Sequence, residues 1–119
     1  MYYLFIVILE NCPYCIYAIN LLDSLKIKYN YLIVKINEKE KYKTEEINTF
    51  PQIYLKKKIT NDSLLLGGFD DLQYFIETFI NQKYNEKNIL IFKNKYKDWQ
   101  KKPILRLLEI INQKQVHRL

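Results

Sequence analysis

The apolar run from Tyr3 to Leu9 constrains the fold of this chain more than any other feature. It has the length of a strand and consists of branched and aromatic side chains, as expected of an interior strand that is covered on both faces. No basic segment or small-residue cleavage site accompanies it, so we expect a buried strand rather than a signal peptide. Pro13 suits the first position of a helix, and apolar residues then recur on one face as far as Lys26. A buried strand that leads directly into a helix predicts an α/β fold.

The middle of the chain contains three further segments with the composition of strands. The first, Tyr29 to Ile36, predicts a right-handed crossover in which it lies parallel to the opening strand. The polar segment from Glu38 to Asn48 predicts only a short, poorly anchored helix. Gln52 to Lys57 and Ser63 to Leu66 are joined by a Lys-rich turn, and they predict a hairpin.

The best-defined helix follows Gly67 and Gly68, which interrupt the chain. We expect Asp70 or Asp71 to cap this helix. Its apolar residues recur with the one-face spacing of a helix at Leu72, Phe75, Ile76, Phe79 and Ile80. This order of elements resembles the thioredoxin-like fold. We therefore expect an α/β protein with a four-stranded mixed sheet flanked by helices, followed by an additional C-terminal helical segment.

The charge of the chain is unevenly distributed. Its 119 residues suffice for one domain, and a hydrophobic content of 49% suffices to bury a core without disulfide bonds. Residues 1–82 hold 9 basic and 10 acidic side chains, whereas residues 83–119 hold 10 basic and 3 acidic ones. This division predicts a near-neutral domain at 1–82 and a basic extension at 83–119. Because no apolar run approaches the roughly 20 residues of a membrane span, we expect no membrane association.

The basic extension has two segments with apolar patterns. Ile89 to Phe92 is compatible with a strand or a helical turn, and a helix is predicted from Lys102 or Pro103 through about Gln115. The apolar face of this helix is so wide that either the domain or a partner must cover it. In residues 92–102 basic and aromatic side chains alternate, a pattern compatible with nucleic acid as well as with a protein or another acidic partner.

Cys12 and Cys15 are the only cysteines, and they open the first helix directly after the buried strand. Free backbone N–H groups and the positive end of the helix dipole stabilise a thiolate there, and the three-residue spacing brings the two sulfur atoms together. The pKa of a free thiol, about 8.5, falls to roughly 3.5–7.5 at such sites. We predict that Cys12 is the nucleophile and that Cys15 is the resolving thiol. The simpler alternative is a pair of unrelated cysteines at the edge of a core helix.

The same residues argue against a metal site. Two cysteines and a single histidine, His117, provide too few soft ligands for structural zinc, so no metal is expected. A signal peptide at the start of the chain would place its cleavage beside these two cysteines, so we expect a reducing compartment. We therefore expect a cytoplasmic protein, in a cell or in the cytosol of a virus-infected host.

Three ordered motifs in residues 1–82 give the chain a specific resemblance to the dithiol glutaredoxins. The first is Cys-Pro-Tyr-Cys at residues 12–15. The second, Thr49 to Tyr54, resembles the family's Thr-Val-Pro-x-Ile-Phe. The third, Leu66 to Leu72, resembles its Ile-Gly-Gly-x-Asp-Asp-Leu. A lone Cys-x-x-Cys would have been less specific, and the Trp-Cys-Gly-Pro-Cys of thioredoxins is less similar.

The resemblance implies a glutathione-dependent thiol–disulfide oxidoreductase with glutathione as its reductant. It implies that Pro51 is cis and faces Cys12, and that the Phe50 backbone pairs with the cysteinyl part of glutathione. It further implies that the N–H groups of Asp70 and Asp71 receive the γ-glutamyl carboxylate, while the Asp71 side chain holds the amino group. The implied glutathione-binding residues are Tyr14, Phe50, Pro51, Asp70 and Asp71, beside the catalytic Cys12 and Cys15.

The expected partners are glutathione and disulfide-bonded or glutathionylated proteins. One departure from the family pattern leaves alternatives open: the family's usual Lys three residues before the nucleophile is Leu9 here, followed by Glu10. An electron donor reduced by a thioredoxin-type reductase is therefore a second hypothesis. An iron–sulfur binding or scaffold protein that uses residues 83–119 for its partner is a third.

Overall fold

The computed structural model describes residues 1–60, 62–81 and 86–116 of the chain. Four strands form one mixed sheet in the order β2–β1–β3–β4. The strands are β1 (Tyr2–Leu9), β2 (Asn30–Val34), β3 (Gln52–Lys57) and β4 (Ser63–Gly67). β1 pairs in parallel with β2 and antiparallel with β3, which pairs antiparallel with β4. The four-stranded mixed sheet predicted from the sequence is thereby confirmed.

Four α-helices and one 3₁₀ helix accompany the sheet. They are α1 (Pro13–Ser24), the 3₁₀ helix (Ile36–Tyr42), α2 (Phe69–Phe79), α3 (Glu86–Lys95) and α4 (Lys101–Val116). The predicted helix near 102–115 is confirmed, and the ambiguous residues Ile89 to Phe92 belong to α3. The predicted boundary between residues 82 and 83 lies outside the described residues, as does His117.

The polar segment after β2 differs from the expected helix over Glu38 to Asn48. It forms the 3₁₀ helix instead, with no buried residue. Beyond it, the Thr44 hydroxyl accepts the N–H groups of Glu46 and Ile47 at 3.2 and 3.0 Å. Without an apolar face, such local side-chain bonds compete successfully with an α-helix.

The N-terminus of α2 also differs from the expectation. The N-cap is Gly68, not Asp70 or Asp71. Asp71 lies three residues further on, and its Oδ2 accepts the Gly68 N–H at 3.0 Å. The aspartate therefore stabilises the helix start from inside the first turn, which is the reciprocal half of a capping box.

One continuous hydrophobic core lies between the sheet and the helices. Alternate residues of β1, Leu4 and Ile6, and their partners on β3, Leu55 and Ile53, are buried in it. α1 packs against α2, and α4 packs against β1. The apolar residues of α1 and α2 in this core are Ala18, Leu22, Leu72, Phe75, Ile76 and Phe79.

The helices of the basic extension are part of the same core. The buried residues that these helices contribute to it are Ile89, Phe92, Ile104, Leu107, Leu108 and Ile111, and Trp99 joins them from the loop between the two helices. The apolar face of α4 is therefore covered by the chain itself, and Arg106 and Glu109 lie on the outer side with an ion pair at 2.9 Å. Because Phe92 and Trp99 are buried, their rings cannot stack on the bases of a nucleic acid. Within the described residues, no helix combines the length and the apolar character that crossing a bilayer requires.

Truncation of Leu107 tests whether α4 contributes to folding. Leu107 is 1% exposed, so Leu107→Ala leaves a cavity and is expected to lower the free energy of unfolding by about 2–5 kcal/mol. Leu90→Ala is the matched control, because Leu90 is 62% exposed and its loss is expected to cost within about 0.5 kcal/mol. Urea unfolding of both variants provides the measurement. Equal stabilities would contradict the integration of α4 into the core.

Candidate active site

Cys12 lies where the C-terminal end of β1 meets the start of α1. Asn11, with φ of 59°, turns the chain there, and Cys12 is the N-cap of the helix with Pro13 in its first turn. The Cys15 N–H donates a hydrogen bond to Cys12 Sγ at 3.3 Å. The sulfur atom at this position therefore faces both a backbone donor and the N-terminal end of the helix, where the helix dipole is positive.

Cys15 lies one turn further into α1 and has a different environment. Its side chain is 1% exposed, and its Sγ accepts the Leu9 N–H at 3.4 Å. Burial raises the pKa of Cys15 to about 12, and the neighbouring Cys12 sulfur adds to the rise. Cys15 is therefore a protonated thiol at neutral pH, while the partly exposed Cys12 is the accessible member of the pair.

The loop before β3 brings a backbone carbonyl to Cys12. The Phe50–Pro51 peptide bond is cis, as expected from the resemblance. Cys12 Sγ donates to the Phe50 carbonyl oxygen at 3.7 Å, across 38 residues of sequence. The buried Gln52 anchors the strand that follows, because its amide donates to the Tyr42 carbonyl at 2.8 Å.

The turn from β4 into α2 forms a second part of the site. Gly67 has φ of +136°, and a Cβ atom there would collide with the Asp71 carboxylate. Only glycine allows this close approach. The same carboxylate lies near the extension, since Asp71 Oδ1 is 3.5 Å from Lys95 Nζ on α3. Asp70 is exposed next to it in the first turn of α2.

An open groove of about 1100 Å³ joins these parts. Tyr14, Phe50, Asp70 and Asp71, four of the five predicted glutathione-binding residues, line it. Pro51 is buried and does not line the groove, and Cys12 lies outside the lining but contacts Phe50, which belongs to it. The structure thus brings the three sequence motifs together at one edge of the sheet.

One wall of the groove comes from the basic extension. Lys95, Tyr96, Lys97, Asp98 and Trp99 line it. The Tyr96 ring stacks on Phe92 at 4.7 Å, and its hydroxyl has no hydrogen-bond partner within the described part of the chain. Burial raises the pKa of the Tyr96 phenol, and the Asp71 charge adds to this, so the group is neutral. Sequence reasoning placed no residue of the extension in the site.

Two aromatic side chains beside Tyr14 were also missed from the sequence. Tyr17 makes an edge contact with the Tyr14 ring at a centroid distance of 5.8 Å, and Phe69 lies 6.1 Å from it. Tyr14 and Tyr17 are 57% and 52% exposed. The helical i, i+3 spacing of the two tyrosines was a signal that could have identified this patch.

Glu10, the acidic residue before the cysteines, points away from them. Its Oε1 accepts the N–H of Ile36 at 3.1 Å, at the start of the 3₁₀ helix. Leu9, at the position of the family's usual lysine, is paired with Val34 on β2. No group of three or more potential metal-ligating side chains occurs in the part of the chain that the structure describes.

A thioredoxin-like sheet with a Cys-x-x-Cys at the N-terminus of its first helix, opposite a cis-proline loop, defines a thiol–disulfide redox protein. Residues 1–59 match the sequence model of the glutaredoxin family. The chain is 39% identical over 69 residues to Glutaredoxin 1 of Rickettsia prowazekii (strain Madrid E). This alignment covers 54% of the present chain and 66% of that relative. Residues 1–59 of the chain therefore belong to the glutaredoxin family, a family of thiol–disulfide oxidoreductases.

The fold comparison agrees with this assignment. The structure is similar to a crystal structure of glutaredoxin 1 from Francisella tularensis in complex with cacodylate, with a TM-score of 0.52. The two chains are 20% identical, and the match covers 66% of the present chain and 95% of the other. At this identity the likeness supports the thioredoxin-like fold alone.

Alkylation tests the difference between the two thiols. Iodoacetamide at pH 8 is expected to modify Cys12 more than tenfold faster than Cys15, because Cys15 is buried and its pKa is raised to about 12. In Cys12→Ser the remaining thiol is still expected to react slowly, since burial is the largest cause of its raised pKa. Mass spectrometry of peptides measures both rates. Comparable modification of the two cysteines would contradict the assignment.

Proposed function

We propose that this protein is a glutathione-dependent thiol–disulfide oxidoreductase that reduces protein disulfides and mixed disulfides with glutathione. The main support is the asymmetry of the two cysteines. Cys12 is partly exposed at the N-terminus of α1, whereas Cys15 is buried and protonated beside it. This is the arrangement that separates an attacking thiol from a resolving one.

The reaction with a glutathionylated protein begins with the Cys12 thiolate. Cys12 attacks the glutathione sulfur, the mixed disulfide breaks, and the protein thiolate leaves and takes up a proton. A second glutathione, as its thiolate, then attacks the glutathione sulfur attached to Cys12. Glutathione disulfide is released, and the Cys12 thiolate is regenerated. The net reaction converts the mixed disulfide and one glutathione into the protein thiol and glutathione disulfide, so the number of disulfide bonds is unchanged and the exchange balances.

A protein disulfide requires Cys15 as well. Cys12 attacks one sulfur, and Cys15 then attacks Cys12 Sγ, which releases the reduced protein and leaves a Cys12–Cys15 disulfide. The Cys12 sulfur itself contributes to the raised pKa of Cys15, through their hydrogen bond and through its charge. Once Cys12 is bound in a mixed disulfide these two contributions are lost, so Cys15 loses its proton more easily at the step that needs it. The departing protein thiolate can accept that proton.

Glutathione binding is proposed along the groove. The Phe50 backbone pairs with the cysteinyl part, and the N–H groups of Asp70 and Asp71 in the first turn of α2 receive the γ-glutamyl carboxylate. Asp71 faces the amino group, Tyr14 borders the groove, and Pro51 orients the Phe50 carbonyl beside Cys12. The lining of one groove by Tyr14, Phe50, Asp70 and Asp71 supports this proposal.

A second candidate is an electron donor reduced by a thioredoxin-type reductase. The observation that favours it is Leu9, which occupies the position of the family's lysine and pairs within the sheet. Without that ammonium, the glycyl carboxylate of glutathione lacks one partner. Both candidates place the protein in a reducing compartment, and we propose the cytoplasm.

Serine variants test the roles of the cysteines. Cys12→Ser is expected to reduce turnover of a glutathionylated peptide to the uncatalysed rate, because a serine hydroxyl is not ionised at neutral pH. Cys15→Ser is expected to retain most of this activity but to lose the reduction of a protein disulfide. Steady-state assays with the two substrates measure the difference. Full activity of Cys12→Ser on either substrate would show that the assignment is wrong.

Coupled assays separate the two reductants. With a protein disulfide as substrate, glutathione with glutathione reductase and NADPH is expected to support turnover, and thioredoxin reductase with NADPH is not. NADPH oxidation is followed in each case, with Cys12→Ser as the blank. Turnover with thioredoxin reductase but not with glutathione would contradict glutathione dependence and would support the second candidate, an electron donor reduced by a thioredoxin-type reductase.

A further inference from the structure

The Asp71 carboxylate already has a cationic partner within the chain. Oδ2 of Asp71 accepts the Gly68 N–H at 3.0 Å, whereas Oδ1 lies 3.5 Å from Lys95 Nζ. In the proposed function this carboxylate faces the amino group of the γ-glutamyl residue. We infer that Lys95 is a specificity-determining residue whose ammonium group competes with that amino group for Asp71. The inference deepens the proposed function and rests on it.

Contacts on other sides hold the Lys95 ammonium in this place. Nζ lies 4.0 Å from the centre of the Tyr74 ring on α2 and 5.8 Å from that of Tyr96. A cation over an aromatic face within about 6 Å is attracted by the ring quadrupole. The Tyr96 ring is itself fixed by stacking on the buried Phe92. The ammonium is therefore positioned by the packing of α3, not only by its attraction to Asp71.

The electrostatic consequence is a preference among ligands. Two ammonium groups beside one carboxylate repel each other, so a ligand amino group must displace Lys95 or accept a weaker interaction. A ligand carboxylate at the start of α2, by contrast, is attracted by the helix N–H groups and by Lys95 together. The groove therefore discriminates against the amino group of a γ-glutamyl ligand while retaining attraction for its carboxylate.

The size of the effect follows from exposure. The side chains of Lys95 and Asp71 are 39% and 38% exposed, so water screens part of their interaction. Pairs of this kind correspond to about a two- to fivefold change in an equilibrium constant. A change of this size is measurable as a ratio between two closely related substrates.

The test uses one fluorescent peptide in two mixed disulfides. One carries glutathione, and the other carries glutaryl-cysteinyl-glycine, which lacks only the amino group. The measured quantity is the ratio of kcat/KM for the glutathione substrate to kcat/KM for the analogue, with the full-length protein. Lys95→Met is expected to raise this ratio about two- to fivefold, because Asp71 is then available to the amino group.

Three further variants make the test specific. Lys95→Arg keeps the cation and is expected to keep the wild-type ratio. Lys93→Met removes a lysine of the same helix that does not line the groove, and is also expected to keep it. In an Asp71→Asn background, Lys95→Met is expected to have no effect on the ratio, because the two substitutions act through one interaction. High salt is expected to reduce the effect of Lys95→Met in the wild-type background.

The outcomes separate the inference from the function on which it rests. An unchanged ratio in Lys95→Met, with glutathione-dependent turnover intact, would overturn the inference alone. A ratio that rises equally in Lys95→Met and Lys95→Arg would also overturn it, because the charge would not be the cause. Failure of the wild-type protein to reduce either mixed disulfide, while it reduces a protein disulfide, would overturn the glutathione-dependent function together with the inference.

Discussion

Hydrogen bonding of β1 on both of its edges is the constraint on which the rest of the structure depends. In the parallel pair, Leu9 lies opposite Val34, and in the antiparallel pair, Val7 lies opposite Gln52. The C-terminal end of β1 is therefore at the same edge of the sheet as the N-terminal end of β3. Cys12 follows the first of these ends and Phe50 precedes the second, so their contact is a consequence of strand register. The register of β1 with β2 and β3 therefore determines where the Cys12 thiol lies.

The fold was predictable wherever local pattern and tertiary burial agree. The apolar run of β1 and the one-face spacing of α2 each follow from what the segment buries. The 3₁₀ helix after β2 was mispredicted because Tyr42 and Ile47 are too few apolar residues to define a period. The cap of α2 was wrong for a different reason. An aspartate in the first turn and one at the N-cap have the same sequence signal, and only the path of the Gly67–Gly68 backbone distinguishes them.

The site was predictable to the extent that it is encoded in contiguous motifs. The proximity of Cys12 and Cys15 depends on a single helical turn, so the four residues of the Cys-Pro-Tyr-Cys motif were enough to predict it. Lys95 could not be found this way, since its approach to Asp71 depends on how α3 packs against α2. Nothing in the sequence distinguishes it from the other lysines of a chain with 17 of them. To predict a contact between distant elements, one must know how those elements pack in the core, and local sequence patterns do not carry this information.

In the basic extension, hydrophobic packing determines the position of a charged side chain. Phe92 packs against Phe75 and Phe79 of α2 with ring centroids 5.4 and 5.9 Å apart, and this contact fixes the rotation of α3 about its axis. Lys95 lies three residues after Phe92 and so projects from nearly the same side of the helix, at the border of the core rather than into open solvent. The packing of α3 against α2 therefore determines both the hydrophobic core and the wall of the groove. By composition, the basic extension resembles an accessory tail. In the structure, one of its lysines, Lys95, lines the groove and lies beside Asp71.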